Sequence, residues 1–183
     1  MFGLFRRKNP YAQAARRLYA DAFTHSRNTA FYSDYGVPDT LDGRFDLLLL
    51  HMFLIIQRMQ AEGQGGALLS QALFDITFAN MDQSLRENGI GDMGVPKHMR
   101  RMMTAFNGRM HRYRDALAAG QIESALAANL YGTVENPDSA TLNRMAEYVR
   151  ENTKALKAQT FEIITGQGVK FLQPETQQLK YGT

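Results

Sequence analysis

Apolar residues recur at helical spacing along nearly the whole chain, and the interruptions coincide with Gly and Pro clusters. No two segments alternate as a strand pair would, so the pattern predicts an all-α, single-domain helical bundle of about six helices. A first helix over about Pro10 to Asn28 places Ala14, Leu18, Ala22 and His25 along one side. A loop over Tyr32 to Asp39 follows, and Asp39 or Thr40 is suited to cap the next helix, with Asp42 favouring its N-terminal dipole. That helix runs to about Glu62 through Leu47 to Ile56 (LLLLHMFLII), where only His51 is polar. A membrane span needs about 20 apolar residues, so the run reads as a buried central core helix.

Gly63 to Gly66 is expected to end this element. A third helix, over about Leu68 to Asn88, carries two adjacent apolar stripes: Leu69, Leu73 and Ile76 on one, Phe74, Phe78, Met81 and Leu85 on the other. It should be buried on more than one side, leaving Gln71, Asp75, Asp82 and Arg86 as a narrow polar line. Past Gly89 to Gly94, Pro96 suits the first turn of a fourth helix reaching about Ala119. Segments over about Ile122 to Tyr131 and Ser139 to Thr165 complete the set. No internal repeat or low-complexity linker divides the chain. The expected organisation is a flexible basic and apolar N-terminus (1–9), one helical domain (10–165) and an irregular C-terminal tail (166–183).

Composition matters where charge is concerned. The 183 residues carry 21 Lys and Arg against 18 Asp and Glu. Six of those cations, Lys97, Arg100, Arg101, Arg109, Arg112 and Arg114, lie within one stretch free of acidic residues, so the rest of the chain is net acidic. On a helical wheel Met99, Met102, Met103, Phe106, Met110, Tyr113 and Leu117 share one side, and Lys97, Arg100, Arg101 and Arg112 share the opposite one. Arg109 and Arg114 fall at the flanks, where their stems can cover apolar surface. Such a helix is either an ordinary surface helix, an electrostatic contact for a phosphate backbone or anionic lipid surface, or a pliable Met-rich docking face.

Several chemistries are excluded or unsupported. The chain has no Cys, which removes disulfides, thiolate metal sites and thiol nucleophiles. GIGDMG (Gly89 to Gly94) matches the dinucleotide fingerprint in form, but it follows a helix rather than a strand, and Gly89 reads better as a helix C-cap. None of His25, His51, His98 and His111 has a Glu three residues before it, as carboxylate-bridged metal bundles require. Asp75 and Asp82 lie two turns apart on one face, and Arg86 is placed to pair with Asp82. His51 reads as a buried imidazole hydrogen-bonded to a neighbouring element, with haem ligation or proton carriage as the alternative. No nucleophile elbow, Walker loop or HExxH motif is present, and no enzymatic activity, cofactor, metal or small-molecule substrate is expected.

Four stretches carry a resemblance: VPDTLDGRFDLLLLHMFL (Val37 to Leu54), LSQALFD (Leu69 to Asp75), MDQSLRENGIGDMGVPK (Met81 to Lys97) and AFNGR with Tyr113 following (Ala105 to Arg109). Together they resemble the ubiquinol-cytochrome c chaperone family, over roughly Ala12 to Thr165. Asn107 departs from the aromatic expected in the last motif. The resemblance implies a non-enzymatic assembly chaperone for respiratory complex III, acting on newly made cytochrome b as its haems are inserted. It also implies contacts near the ribosomal exit tunnel and a small partner subunit. With MFGLFRRKN at its start and no transit peptide, the chain is expected in the bacterial cytoplasm, peripheral to the inner face of the membrane. Two surfaces are expected to bind partners. One is the basic helix face of Lys97, Arg100, Arg101 and Arg112; the other is a groove shaped by Asp75, Asp82 and Arg86 with Asp92 in the turn beyond. The alternative is a basic ribosome, RNA or membrane-surface adaptor with no cytochrome role.

Overall fold

The computed structural model describes residues 9–87 and 94–176. Among them the elements are α1 (Ala12–His25), α2 (Ala30–Ser33), α3 (Leu41–Met59), a 3-10 turn (Gln60–Glu62), α4 (Gly63–Glu87), α5 (Val95–Ala118), α6 (Ile122–Asn129), α7 (Ser139–Lys157) and α8 (Phe161–Gln167). No strand occurs among the described residues. The six helices expected from periodicity are present, with a one-turn helix added after α1 and the last helix divided in two.

α3 is the axis of the bundle, packed on α1, α4, α5 and α7. Every residue from Leu47 to Ile55 is buried, because a helix apolar on all sides is stable only when other helices surround it. Thr40 caps it, its hydroxyl accepting from the Gly43 amide at 3.1 Å, and Asp42 lies in the first turn.

Two boundaries differ from the expectation. The glycine stretch is not a loop: Gly63, at φ +55°, makes the reversal, and the next helix starts at once. Gly66 lies inside α4, where a Cβ would come within 2.0 Å of the Met59 carbonyl oxygen. The glycines therefore permit α4 to leave α3 at close quarters rather than spacing the two apart. The second difference lies at Ala158 to Thr160, where α7 stops and α8 begins although neither Gly nor Pro breaks the sequence. Arg58 of α3 donates to the carbonyls of Leu156 (3.0 Å) and Gln159 (2.8 Å), and Thr160 caps α8 through the Ile163 amide. A part-buried cation thus takes the Gln159 carbonyl and shares that of Leu156 with the Gln159 amide, and the turn follows from a tertiary contact that local propensity does not reveal.

Beyond α8, Gly168 at φ +95° turns the chain back across the bundle. Residues 168–176 are neither helix nor strand, and they lie as an extended strap against α1 and α7 with Val169 and Pro174 buried.

Candidate functional site

The expected basic face is present on α5. Lys97, Arg100, Arg101 and Arg112 are exposed, whereas Phe106, Met110 and Tyr113 on the opposite side are buried against the core. Toward the start of the helix the apolar side is less covered: Met99 and Met102 are half-buried and Met103 is 40% exposed. Arg112 is tied down, donating to Asn129 Oδ1 of α6 at 2.7 Å. Arg109 reaches inward to Asp46 of α3, Nη2 to Oδ1 at 2.8 Å, at an angle too poor for a hydrogen bond. Burial pushes the Asp46 carboxyl up to about 6 against the pull of Arg109, and the Asp42 charge adds to the rise. The first turn of α5 has no acidic residue and holds Lys97, where the helix dipole is already positive, with Arg100 and Arg101 exposed in the next turn.

The second expected surface is paired within its own helix. Arg86 Nε donates to Asp82 Oδ2 at 2.7 Å, and Asp75 accepts from Gln71 at 2.8 Å. Both are exposed contacts four residues apart, of the kind that stabilises a helix by only about 0.2–0.5 kcal/mol. Asp92 and the GIGDMG turn from Gly89 to Met93 lie outside the described residues.

A third constellation joins His51 to residues the sequence does not link to it. The Leu47 carbonyl, 2.8 Å from His51 Nδ1, can only accept, so that nitrogen carries the proton. His51 Nε2 therefore accepts from the Tyr148 hydroxyl of α7 at 2.9 Å. The same hydroxyl oxygen lies 2.9 Å from His25 Nε2 of α1, which must donate to it. Both nitrogens of His51 are thus engaged, the arrangement of a buried structural imidazole. Burial lowers the His51 pKa to about 3, with the neighbouring His25 adding to the effect. Burial also lowers that of His25, opposed by the Leu172 carbonyl, and holds Tyr148 protonated by raising its pKa. Phe31, Tyr35 and Phe171 close the cluster: Phe171 of the strap stacks on His25 at 4.9 Å and meets the His51 ring edge-to-face at 5.1 Å.

The strap is held largely through its main chain. The Val169 amide donates to Asp21 Oδ2 (3.0 Å), Leu172 to Asn152 Oδ1 (2.9 Å) and Glu175 to the Tyr35 hydroxyl (3.0 Å). Gln159 takes both main-chain groups of Lys170, at 3.0 and 2.7 Å. None of these holding residues stands out in the sequence as a motif. One signal was available: Asn152 falls in the apolar series Met145, Val149, Asn152, Leu156, and a buried amide in such a stripe needs a partner.

Comparison with known proteins follows the same lines. Residues 33–171 match the family described as ubiquinol-cytochrome C chaperone. The chain is 26% identical over 159 residues to ubiquinol-cytochrome c reductase complex assembly factor 1 of Mus musculus, covering 84% of this chain and 53% of that one. It is 27% identical over 150 residues to the mitochondrial protein CBP3 of Saccharomyces cerevisiae, covering 79% and 44%. The chain therefore spans about half the length of the mouse relative. The crystal structure of the Cbp3 homolog from Brucella abortus superposes with a TM-score of 0.78 and 32% identity, covering 92% of this chain and 94% of that chain. On fold and on sequence alike, this chain belongs to the ubiquinol-cytochrome c chaperone family.

Proposed function

We propose that the protein is a non-catalytic assembly chaperone for ubiquinol-cytochrome c reductase, binding newly made cytochrome b and supporting its haem maturation. The observation that carries this reading is the family match across α2 to the strap, together with relatives named as assembly factors of that complex. The chemistry of the chain is compatible with a holding role. His25 and His51 are both hydrogen-bonded to Tyr148, His51 is also bonded to the Leu47 carbonyl, and Asp82 is paired with Arg86. Among the described residues, no group of His, Asp and Glu is arranged to hold a metal, and no helix is long and apolar enough to cross a membrane.

The exposed start of α5 supports a docking role beside that of the client. Lys97 adds to the positive end of a helix dipole where an acidic residue would stabilise the helix, and Arg100 and Arg101 follow in the next turn, a concentration of positive charge that an anionic surface offsets. In our reading this face meets an anionic membrane or the ribosomal surface from which cytochrome b emerges, and the paired α4 line of Asp75, Asp82 and Arg86 borders the client contact. Deletion followed by membrane haem spectra and complex III activity tests the function, with another respiratory complex as control. Loss confined to b-type haem and complex III is the expected result; an equal loss in the control complex would refute it. Replacing Asp82 and Arg86 together tests the border contact, and normal cytochrome b maturation by that folded variant would remove it.

A further inference from the structure

Backbone groups of an extended segment need partners. For residues 168–176 several come from side chains of two helices and two connecting segments: Asp21 of α1, Asn152 of α7, Gln159 between α7 and α8, and Tyr35 after α2. Contacts aimed at the main chain do not depend on which side chains the segment carries, so they suit recognition of extended peptide in general. Side-chain contact is made by Val169 and Pro174, which are buried, and by one aromatic ring. Phe171 inserts among His25, His51 and the ring of Phe31 beyond them, while Lys170 and Leu172 point outward, Leu172 being 44% exposed.

The strap does not fill the trough it occupies. An open depression of about 530 Å³ lies on one flank, beside Tyr35, Tyr148 and Asn152, and a shallower one of about 490 Å³ on the other, beside Asp21, Thr24 and His25. Gln173 of the strap lines both. A segment anchored at its start, where Arg17 holds the Thr165 and Gly166 carbonyls, and turned at Gly168 can lift without unfolding a helix.

We propose that this trough is a binding groove for extended peptide, that residues 168–176 are its exchangeable resident, and that a client segment presenting an aromatic side chain to the His25–His51 cluster takes their place. Naming the occupant as client rests on the function proposed above; the groove itself does not. The strap then acts as an internal competitor that keeps the groove closed when no client is present. A trans peptide sees its affinity reduced by the fraction of molecules whose strap is open.

The test is a labelled peptide of residues 166–176 (GQGVKFLQPET) titrated by fluorescence anisotropy against the full chain and against its Phe171→Ala variant. Weakening the resident leaves the groove walls unchanged, so the variant should bind the peptide at least about tenfold more tightly. Adding Asn152→Ala should abolish that gain, and a peptide with Ala in place of Phe171 should not compete. Lys170→Pro, which removes one strap amide and keeps Phe171, should show the same gain if Phe171→Ala fails to fold. A folded variant that binds no better than the parent chain, or binding indifferent to Asn152, overturns the groove. Complex III activity of the same variants in cells separates the two claims. Peptide binding by a chain that has no effect on complex III sinks the assembly reading alone, and complex III support without peptide binding sinks the groove alone.

Discussion

Replacing Tyr148 by Phe removes one oxygen from the centre of the molecule and leaves its shape intact. That oxygen serves two histidines from two helices, donating to His51 and accepting from His25. Without it, His51 Nε2 is a buried acceptor with no donor, which costs about 1–3 kcal/mol. His25 is only half-buried and can recruit water from the neighbouring depression, so its loss adds little. A total near 2 kcal/mol in a domain of this size lowers Tm by about 4–8 °C. The effect should also depend on pH in a defined sense. The folded-state pKa of His51 is depressed from 6.5 to about 3, so the unfolded chain takes up a proton that the native one refuses. Stability is therefore lost as pH falls from about 6.5 toward 3. The Tyr148 hydroxyl favours the neutral imidazole, so its removal eases protonation of His51, and the gap between parent and variant should narrow in acid. Thermal melts followed by far-UV circular dichroism at pH 7.5, 6 and 4.5 read both effects. A Tm change below about 1 °C at neutral pH, or a gap that widens on acidification, would refute the assignment of donor and acceptor.

Further outcomes are expected at other sites. Asp46 has a folded-state pKa raised from 3.8 to about 6, so its contribution to stability declines as pH rises through that window; Asp46→Asn should gain on the parent in Tm between pH 4 and 6.5, and a constant difference would count against the assignment. Arg58→Ala leaves the Gln159 carbonyl without its donor and should cost about 1–3 kcal/mol in urea unfolding, with proteolytic nicking near Thr160 as its local sign. Leu50→Asp or Phe53→Asp should prevent folding, because an unpaired charge there costs several kcal/mol of a stability of only about 5–15; an unchanged melt would show the site is not core. Charge reversal at Lys97, Arg100 and Arg101 should abolish binding to anionic vesicles or ribosomes and leave Tm within about 2 °C, and binding that ignores both reversal and salt would remove the docking face.

How much of this could be read without coordinates differs from element to element. The α3 core, its Thr40 cap and the amphipathic α5 follow from residue spacing, because burial pattern and capping are set within a few residues of one another. The burial of His51 also follows, since an imidazole inside LLLLHMFLII has no route to water on a packed helix. The identity of its partner does not: Tyr148 is 97 residues away and His25 lies on another helix. The same holds for the α7–α8 turn, imposed by Arg58 from 98 residues away, and for Gly66, whose missing side chain matters only because Met59 approaches it.

The strap is the clearest case. Its sequence, GVKFLQPET, has no helical or alternating period of its own, so periodicity reports nothing of where it lies. Residues 168–176 satisfy theirs through Asp21, Asn152 and Gln159, which become neighbours only once α1 and α7 have packed on α3. Sequence alone determined the helices, the core and the place of the positive charge. Tertiary structure alone decided which polar groups from distant parts of the chain meet, because such hydrogen bonds exist only after hydrophobic packing has brought their helices together.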